Sequence, residues 1–297
     1  MFSRILLATD GSEASVRALH KAVVLALNLG AEIHIVNIAE LCGAGGEAYI
    51  PMMVDSGSSM AASQREILET AAQNVRAYGL SPTTHALSGA VASEIVSLSD
   101  EIDADVIVIG APHSSTWERL ILGSASDSIV RHAGCSVLVA RSSCRCDGQP
   151  ELVPCPTFRR ILLAADGSDS SIVAAKSAAW LALRLKSRLS ILHVFESPLH
   201  VHVPVVSEGS CSGDAVSAFQ ETVIRKVRDA INRYEILTQP IKRIGTPTHE
   251  LERFTREHCP DLVVVGTSHY GTLKTNLIGG VGEFAARQCP CSVLIAR

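Results

Sequence analysis

The stretch RILLATDGSEAS at residues 4–15 returns as RILLAADGSDSS at residues 160–171. The far end of the copy repeats as well: CSVLVAR at 135–141 returns as CSVLIAR at 291–297, at the same spacing of 156 residues. That spacing also pairs Gly89 with Gly245, Asp105 with Asp261, Gly110 with Gly266, His113 with His269 and Gly123 with Gly279. A repeat this long indicates two tandem globular domains rather than a solenoid of short units. It also provides an internal control, because a residue kept in both copies can be weighed against surroundings that have drifted.

Each copy opens with an apolar run ending in a turn, which reads as a buried strand followed by a loop. Behind it, SEASVRALHKAVVLALNLG and SDSSIVAAKSAAWLALRLK carry Ser, Asp or Glu at the start and apolar residues at helical spacing. A second strand follows (EIHIVNIA; LSILHVFE), then a divergent insert at 40–58 or 196–214, then helical periodicity at about 60–78 and 215–234. A third strand (THALSG; QPIKRIG), a helix, a fourth strand (DVIVIG; DLVVVG), a closing helix and a fifth strand (SVLVAR; SVLIAR) complete the unit. Strands that alternate with helices and are apolar along most of their length predict an α/β fold. It comprises two doubly wound, open, Rossmann-like sheets, each of about five parallel strands with helices on both faces. The boundaries expected are 1–141 for the first domain, 142–157 for a linker and 158–297 for the second domain.

Length agrees with the repeat, since 297 residues at roughly 150 per domain make two domains that each bury a core. Aromatic residues are only 4% of the chain, so Val, Ile, Leu and Ala must fill the interior. A net charge of −4, from 26 Lys and Arg against 30 Asp and Glu, leaves little basic excess for nucleic acid. The longest apolar stretches fall far short of the roughly 18 residues a membrane span needs. A strand pattern within four residues of the start leaves no room for a secretion signal, so a soluble cytoplasmic protein is expected. Nine cysteines, an odd number, suggest reduced thiols rather than a disulfide framework. Cys135 and Cys291 head apolar strands as core residues, while Cys144, Cys146 and Cys155 sit in the linker without the spacing of a zinc site. His200 and His202 alternate with valine but have no third ligand nearby, so no metal is expected there either. His34 and His193 read as partly buried strand residues, and Trp117 and Trp180 as core or interface residues.

In open parallel sheets, ligands bind beyond the carboxyl ends of the strands, which singles out the loops after strands one and four. After strand one stand Asp10, Gly11 and Ser12, matched by Asp166, Gly167 and Ser168. They read either as a carboxylate poised beside a helix N-terminus or as a turn with its N-cap. After strand four come GAPHSSTWERLILGSAS at 110–126 and GTSHYGTLKTNLIGGVG at 266–282.

A strand-end Asp, V-I-G, a thirteen-step interval to a second Gly and CSVLVA at the close resemble the universal stress protein family, over nearly the whole chain and twice. The resemblance implies the adenine nucleotide alpha hydrolase-like form of the Rossmann-like sheet. It also implies, in the nucleotide-binding branch, a G-x2-G-x9-G-S/T motif whose backbone N–H groups wrap a triphosphate. This chain departs from that motif. His113 and His269 stand where the second Gly belongs, Pro112 removes a backbone donor, and Gly280 replaces the hydroxyl residue in copy two, whereas copy one keeps Gly123 and Ser124. The two histidines either donate to a phosphate or fill a loop whose ligand has been lost.

Carried over position by position, the resemblance implies nucleoside contacts at Asp10 and Asp166 and base contacts from the backbones of Ile38 and Val194. Ribose and phosphates would meet Gly110, Gly123, Ser124 and Ala125 in the first copy, and Gly266, Gly279, Gly280 and Val281 in the second. His113 and His269 join them as candidate phosphate contacts. The implied ligand is ATP or AMP, in both copies or in one alone, with no metal, no catalytic residue and at most slow ATP hydrolysis. The implied partners are the other domain, through the fifth strand, and further copies of the chain. Two other readings stand beside this stress-response module. One is an interaction scaffold with degenerate pockets. The other is an adenylating ATP pyrophosphatase, which the A-T-D-G-S and A-A-D-G-S loops disfavour because they lack a double glycine and paired metal-binding carboxylates.

Overall fold

The computed structural model describes residues 2–40, 56–111, 122–142, 158–196, 213–267 and 280–297. It divides into two compact units, Met1–Arg141 and Ser142–Arg297. The first contains β1 (Arg4–Ala8), α1 (Glu13–Leu29), β2 (Glu32–Glu40), α2 (Ser56–Arg76), β3 (Thr83–Gly89), α3 (Val91–Glu101), β4 (Val106–Gly110), α4 (Ser124–His132) and β5 (Ser136–Ala140). The second contains β6 (Arg160–Ala164), α5 (Asp169–Leu185), β7 (Arg188–Phe195), α6 (Gly213–Ile231), β8 (Thr238–Ile244), α7 (Pro247–His258), β9 (Leu262–Gly266), α8 (Gly280–Gln288) and β10 (Ser292–Ala296).

Strands run in the order β3-β2-β1-β4-β5 in the first unit and β8-β7-β6-β9-β10 in the second, every neighbouring pair parallel. The doubly wound open α/β reading therefore holds. In the first unit Ile5 faces Ile33 of β2 on one side and Val106 of β4 on the other. Strand order reverses at that point, so the loops after β1 and β4 diverge and leave a crevice at their carboxyl ends. Helix limits differ slightly from the periodicity. Helix α2 begins at Ser56, and α6 ends at Ile231, with Asn232–Tyr234 tightening into a 3-10 turn.

The cores are aliphatic, as the low aromatic content demands. Ile5, Leu6 and Leu7 of β1 are fully buried, as is Leu163 of β6. Ala18, Ala22 and Ala26 form one buried row on α1, and Ala174, Ala178 and Ala182 the matching row on α5. Their small side chains let each helix lie close on its sheet. One carboxylate in each unit ties the chain entering the first strand to the start of the fourth. Asp105 Oδ2 accepts the Ser3 N–H (2.6 Å), the Ser3 hydroxyl (2.7 Å) and the Arg4 N–H (2.9 Å). Asp261 Oδ2 accepts the N–H groups of Arg159 (2.9 Å) and Arg160 (2.8 Å).

Cys289 and Cys291 are buried and Cys135 is partly buried, none of the three in a disulfide. Cys259, which ends α7 in a left-handed backbone conformation, is disulfide-bonded, which corrects the expectation of reduced thiols at that residue. Among the described residues no helix is long and apolar enough to cross a membrane, and no group of three or more metal-ligating side chains gathers. Trp117, His200, His202, Cys144, Cys146, Cys155 and nearly all of the inserts and the linker lie outside the described residues.

His34 and His85 face each other from β2 and β3, Nδ1 to Nε2 at 3.0 Å, with stacked rings 5.3 Å apart. Burial lowers the pKa of both. For His34, Glu32 opposes this and Arg4 adds to it; for His85, His34 adds to it and Glu101 opposes it. A depressed folded pKa means the unfolded chain takes up these protons first. Stability is therefore full above the unfolded value of about 6.5 and is lost as the pH falls through the folded values. The thermal midpoint should fall on acidification from about pH 7.5 to about pH 5.5, with His20, also depressed by burial and by Lys21, adding to the effect. His85→Ile, which installs the residue found at Ile241 of the second unit, should flatten that dependence. An unchanged slope in melting curves would contradict the pair's role.

Candidate functional site

The first unit carries an open cleft of about 570 Å3 at the switch point, within the range of small-ligand sites. Its floor is the loop after β1. Asp10 Oδ1 accepts the Ser12 N–H at 2.9 Å, Gly11 takes a positive φ of 79°, and Ser12 caps α1 by accepting the Ser15 N–H. Burial would raise the Asp10 pKa. Hydrogen bonds from the Ser12 side chain and backbone, then from Ser15, outweigh it and hold the carboxyl below its ordinary range. Asp10 is thus an anion at neutral pH.

Two helix N-termini converge on the cleft, α1 through Ser12 to Ser15 and α4 through Gly123 to Ser126. The cap on α4, Gly123, has no side chain to satisfy the first-turn N–H groups of that helix, so donors and a positive dipole end are offered to an anion. Gly110, at the end of β4, is fixed by close approach. A Cβ there would lie 2.4 Å from the backbone carbon and oxygen of Ala14. That contact draws the first turn of α1 over the end of β4. The lining also holds apolar side chains: Val36 and Ile38 of β2, Val91 and Ile95 of α3, Ile109 of β4 and Ile129 of α4. The cleft thus combines backbone N–H donors with apolar side chains.

Of the sequence candidates, Asp10, Ile38, Gly110, Gly123, Ser124 and Ala125 all line this one cleft. His113 lies outside the described residues. Sequence reasoning missed Arg17 and Asn37, which also line it. Arg17 is placed by one helical turn from Glu13, its guanidinium 3.4 Å from that carboxylate, and its buried Nε has no hydrogen-bond partner among the described residues. Asn37 holds the loop by donating to the Thr9 carbonyl at 2.7 Å, while Gln64 donates to the Asn37 and Leu87 carbonyls at 2.9 and 2.8 Å. The alternation of β2 puts Asn37 in the sheet interior, and a polar residue in so apolar a strand was the available signal.

The second unit repeats the loop chemistry. Asp166 Oδ1 accepts the Ser168 N–H at 2.9 Å, Gly167 has φ 82°, and a Cβ on Gly266 would meet the Ser170 carbonyl oxygen at 2.4 Å. Burial again opposes and hydrogen bonds from Ser168 and Ser171 again win, so Asp166 titrates low. Gly280 and Val281 open α8, and Val194 lies near the end of β7. His269 and Gly279 lie outside the described residues. The copies differ at Arg17, which becomes Val173, and at Asn37, which becomes His193. His193 Nδ1 stands 2.9 Å from the Ala165 carbonyl and donates to it, while the buried Nε2 has no partner among the described residues.

Fold and loop geometry together place the chain in a known class: it belongs to the Universal stress protein family, whose signature matches residues 1–141 and again 157–297. A universal stress protein of Mycobacterium tuberculosis is 27% identical over 222 residues, 73% of this chain and 69% of that protein. One of Methanocaldococcus jannaschii is 28% identical over 144 residues, 48% of this chain and 83% of that protein. The crystal structure of a universal stress protein from Archaeoglobus fulgidus shares the fold over 100% of this chain and 99% of its own, with a TM-score of 0.75 at 21% identity.

Proposed function

We propose that the first unit binds an adenine nucleotide, ATP or AMP, and that the protein answers stress as a nucleotide-responsive module rather than as an efficient catalyst. The observation that supports this most is the convergence of two helix N-termini, one uncapped by a side chain, on a cleft that also has apolar side chains in its lining. Phosphates meet the N–H groups of α4 and the guanidinium of Arg17, the ribose meets Asp10, and the base lies against Val36 and Ile38. Two carboxylates, Asp10 engaged with its own loop and Glu13 with Arg17, stand with two helix ends and several hydroxyls in a set suited to holding phosphates, so hydrolysis is at most slow. The second unit, with His193 for Asn37 and Val173 for Arg17, binds the nucleotide more weakly or not at all.

A second reading, a scaffold whose pockets have lost their ligand, is favoured by His113, His269 and Pro112 in the phosphate loops. Two measurements separate them. Denaturing the protein as purified should release adenine nucleotide at about one equivalent per chain, read by ion exchange with mass detection. Asp10→Ala should weaken nucleotide binding roughly tenfold to a hundredfold, the worth of a hydrogen bond to a charged group. Unchanged affinity would reject this cleft. No nucleotide recovered, together with no thermal shift at millimolar ATP, would establish the scaffold reading instead.

A further inference from the structure

The second unit has another cleft, of about 440 Å3, which starts at the amino-terminal end of β6 and β7 and runs along β8 to Arg243, the register partner of Val194. Arg160, Arg188 and Arg243 line it from three successive strands, and His258 lines it from the end of α7. Arg160 and Arg188 are register partners on adjacent strands. Like charges placed directly opposite each other destabilise a sheet, so a compensating group is called for.

The chain's own acids provide only part of it. Arg160 stands 3.8 Å from Asp261 Oδ1, but the other oxygen of that carboxylate already accepts two backbone N–H groups. Arg243 stands 3.7 Å from Glu257, which also contacts Arg253 and His258 at 3.6 and 3.8 Å. Among the described residues no carboxylate pairs with Arg188.

The first unit shows what this place looks like without the extra cations. At the spacing of 156 residues, Arg188 replaces Glu32, Arg243 replaces Leu87 and His258 replaces Ile102, while Asp261 and Glu257 match Asp105 and Glu101. There, Arg4 Nε has Glu32 at 4.0 Å as its strand neighbour, an opposite-charge pair. The acids and the first arginine, Arg4 or Arg160, are common to both copies, whereas Arg188, Arg243 and His258 stand in the second alone. Ser190 and Gln239 contribute polar groups to the same lining.

We propose that this cleft is a binding site for a small multivalent oxyanion, a phosphorylated or polycarboxylated metabolite, held between the guanidinium groups of Arg160, Arg188 and Arg243. Guanidinium forks match phosphate and carboxylate alike, two N–H groups to two oxygens. The volume suits a small metabolite. Occupancy relieves the repulsion between Arg160 and Arg188, so binding stabilises the second unit.

The test is calorimetric titration of the full chain with inorganic pyrophosphate and, separately, with citrate. The variants Arg188→Glu and Arg243→Leu each install the residue the first unit carries at that position. Both should fold, because the first unit holds those residues on the same framework, and Arg188→Glu should melt no lower than the wild type. Each should weaken binding roughly tenfold or more, the worth of one charge-assisted contact. Binding of pyrophosphate alone would mark a phosphorylated ligand, and binding of citrate alone a polycarboxylate. Affinity in both variants within about twofold of wild type would place any binding elsewhere and overturn the proposal. So would the absence of binding to the wild type at millimolar anion.

Discussion

Gly110→Ala should lower the stability of the first unit by about 3 kcal/mol, roughly 10 °C in thermal midpoint. The methyl group would stand 2.4 Å from the carbonyl carbon and oxygen of Ala14 and 2.8 Å from the Ser15 nitrogen, all backbone atoms that no rotamer change can move aside. Relief requires the first turn of α1 to lift off the end of β4. That movement would carry Ser12 and Asp10 with it and open the cleft, so nucleotide affinity should fall together with stability. Gly266→Ala should do the same in the second unit, where the obstacle is the Ser170 carbonyl. A Gly110→Ala protein that melts within a couple of degrees of the wild type would show that this approach is looser than the geometry states.

Asp261→Ala should be of similar size. The N–H groups of Arg159 and Arg160 would lose their acceptor beside the core, and Arg160 would lose its counter-charge, for a cost of about 3 kcal/mol. Asp261→Asn, which keeps one acceptor oxygen, should lose less, and urea unfolding of the two variants measures the difference. In the first unit the matching carboxyl, Asp105, is raised by burial but lowered further by the Ser3 and Arg4 hydrogen bonds, for a net depression. Its contribution is therefore present above an unfolded value of about 4 and lost as the pH falls through the folded one. Asp105→Ala should thus narrow the stability gap to the wild type in strong acid.

Much of the fold was legible because strand and helix patterns each occurred twice, which fixed five strands per unit and their parallel sense. Asp10 and Asp166 were legible because the capping chemistry of Asp-Gly-Ser is local. Other features depend on tertiary approach and leave little trace in one stretch of chain. Gly110 was read as a contact for ribose and phosphates; it lines the cleft, but the close approach of α1 to β4 that also demands a glycine there left no trace in the sequence. Arg17 reads as a solvated helix position until the cleft places its Nε out of solvent. The stacking of His34 on His85 spans two strands whose register no local pattern states. The charges at Arg188 and Arg243 look unremarkable singly, and acquire meaning only when β6, β7 and β8 bring them to one place.

The position of β1 between β2 and β4 bears on how the chain is made. A ribosome delivers β1 well before β4, so the hydrogen bonds along its second edge wait, and the Arg4 to Asp105 bond spans 101 residues. At roughly 5–20 residues per second, that edge stays open for several seconds. Such a long-range closure slows folding and leaves a strand edge available to other chains in the interval. Nascent chains arrested before β4 should be the aggregation-prone species, and chains arrested beyond β5, once clear of the exit tunnel, should already be protected.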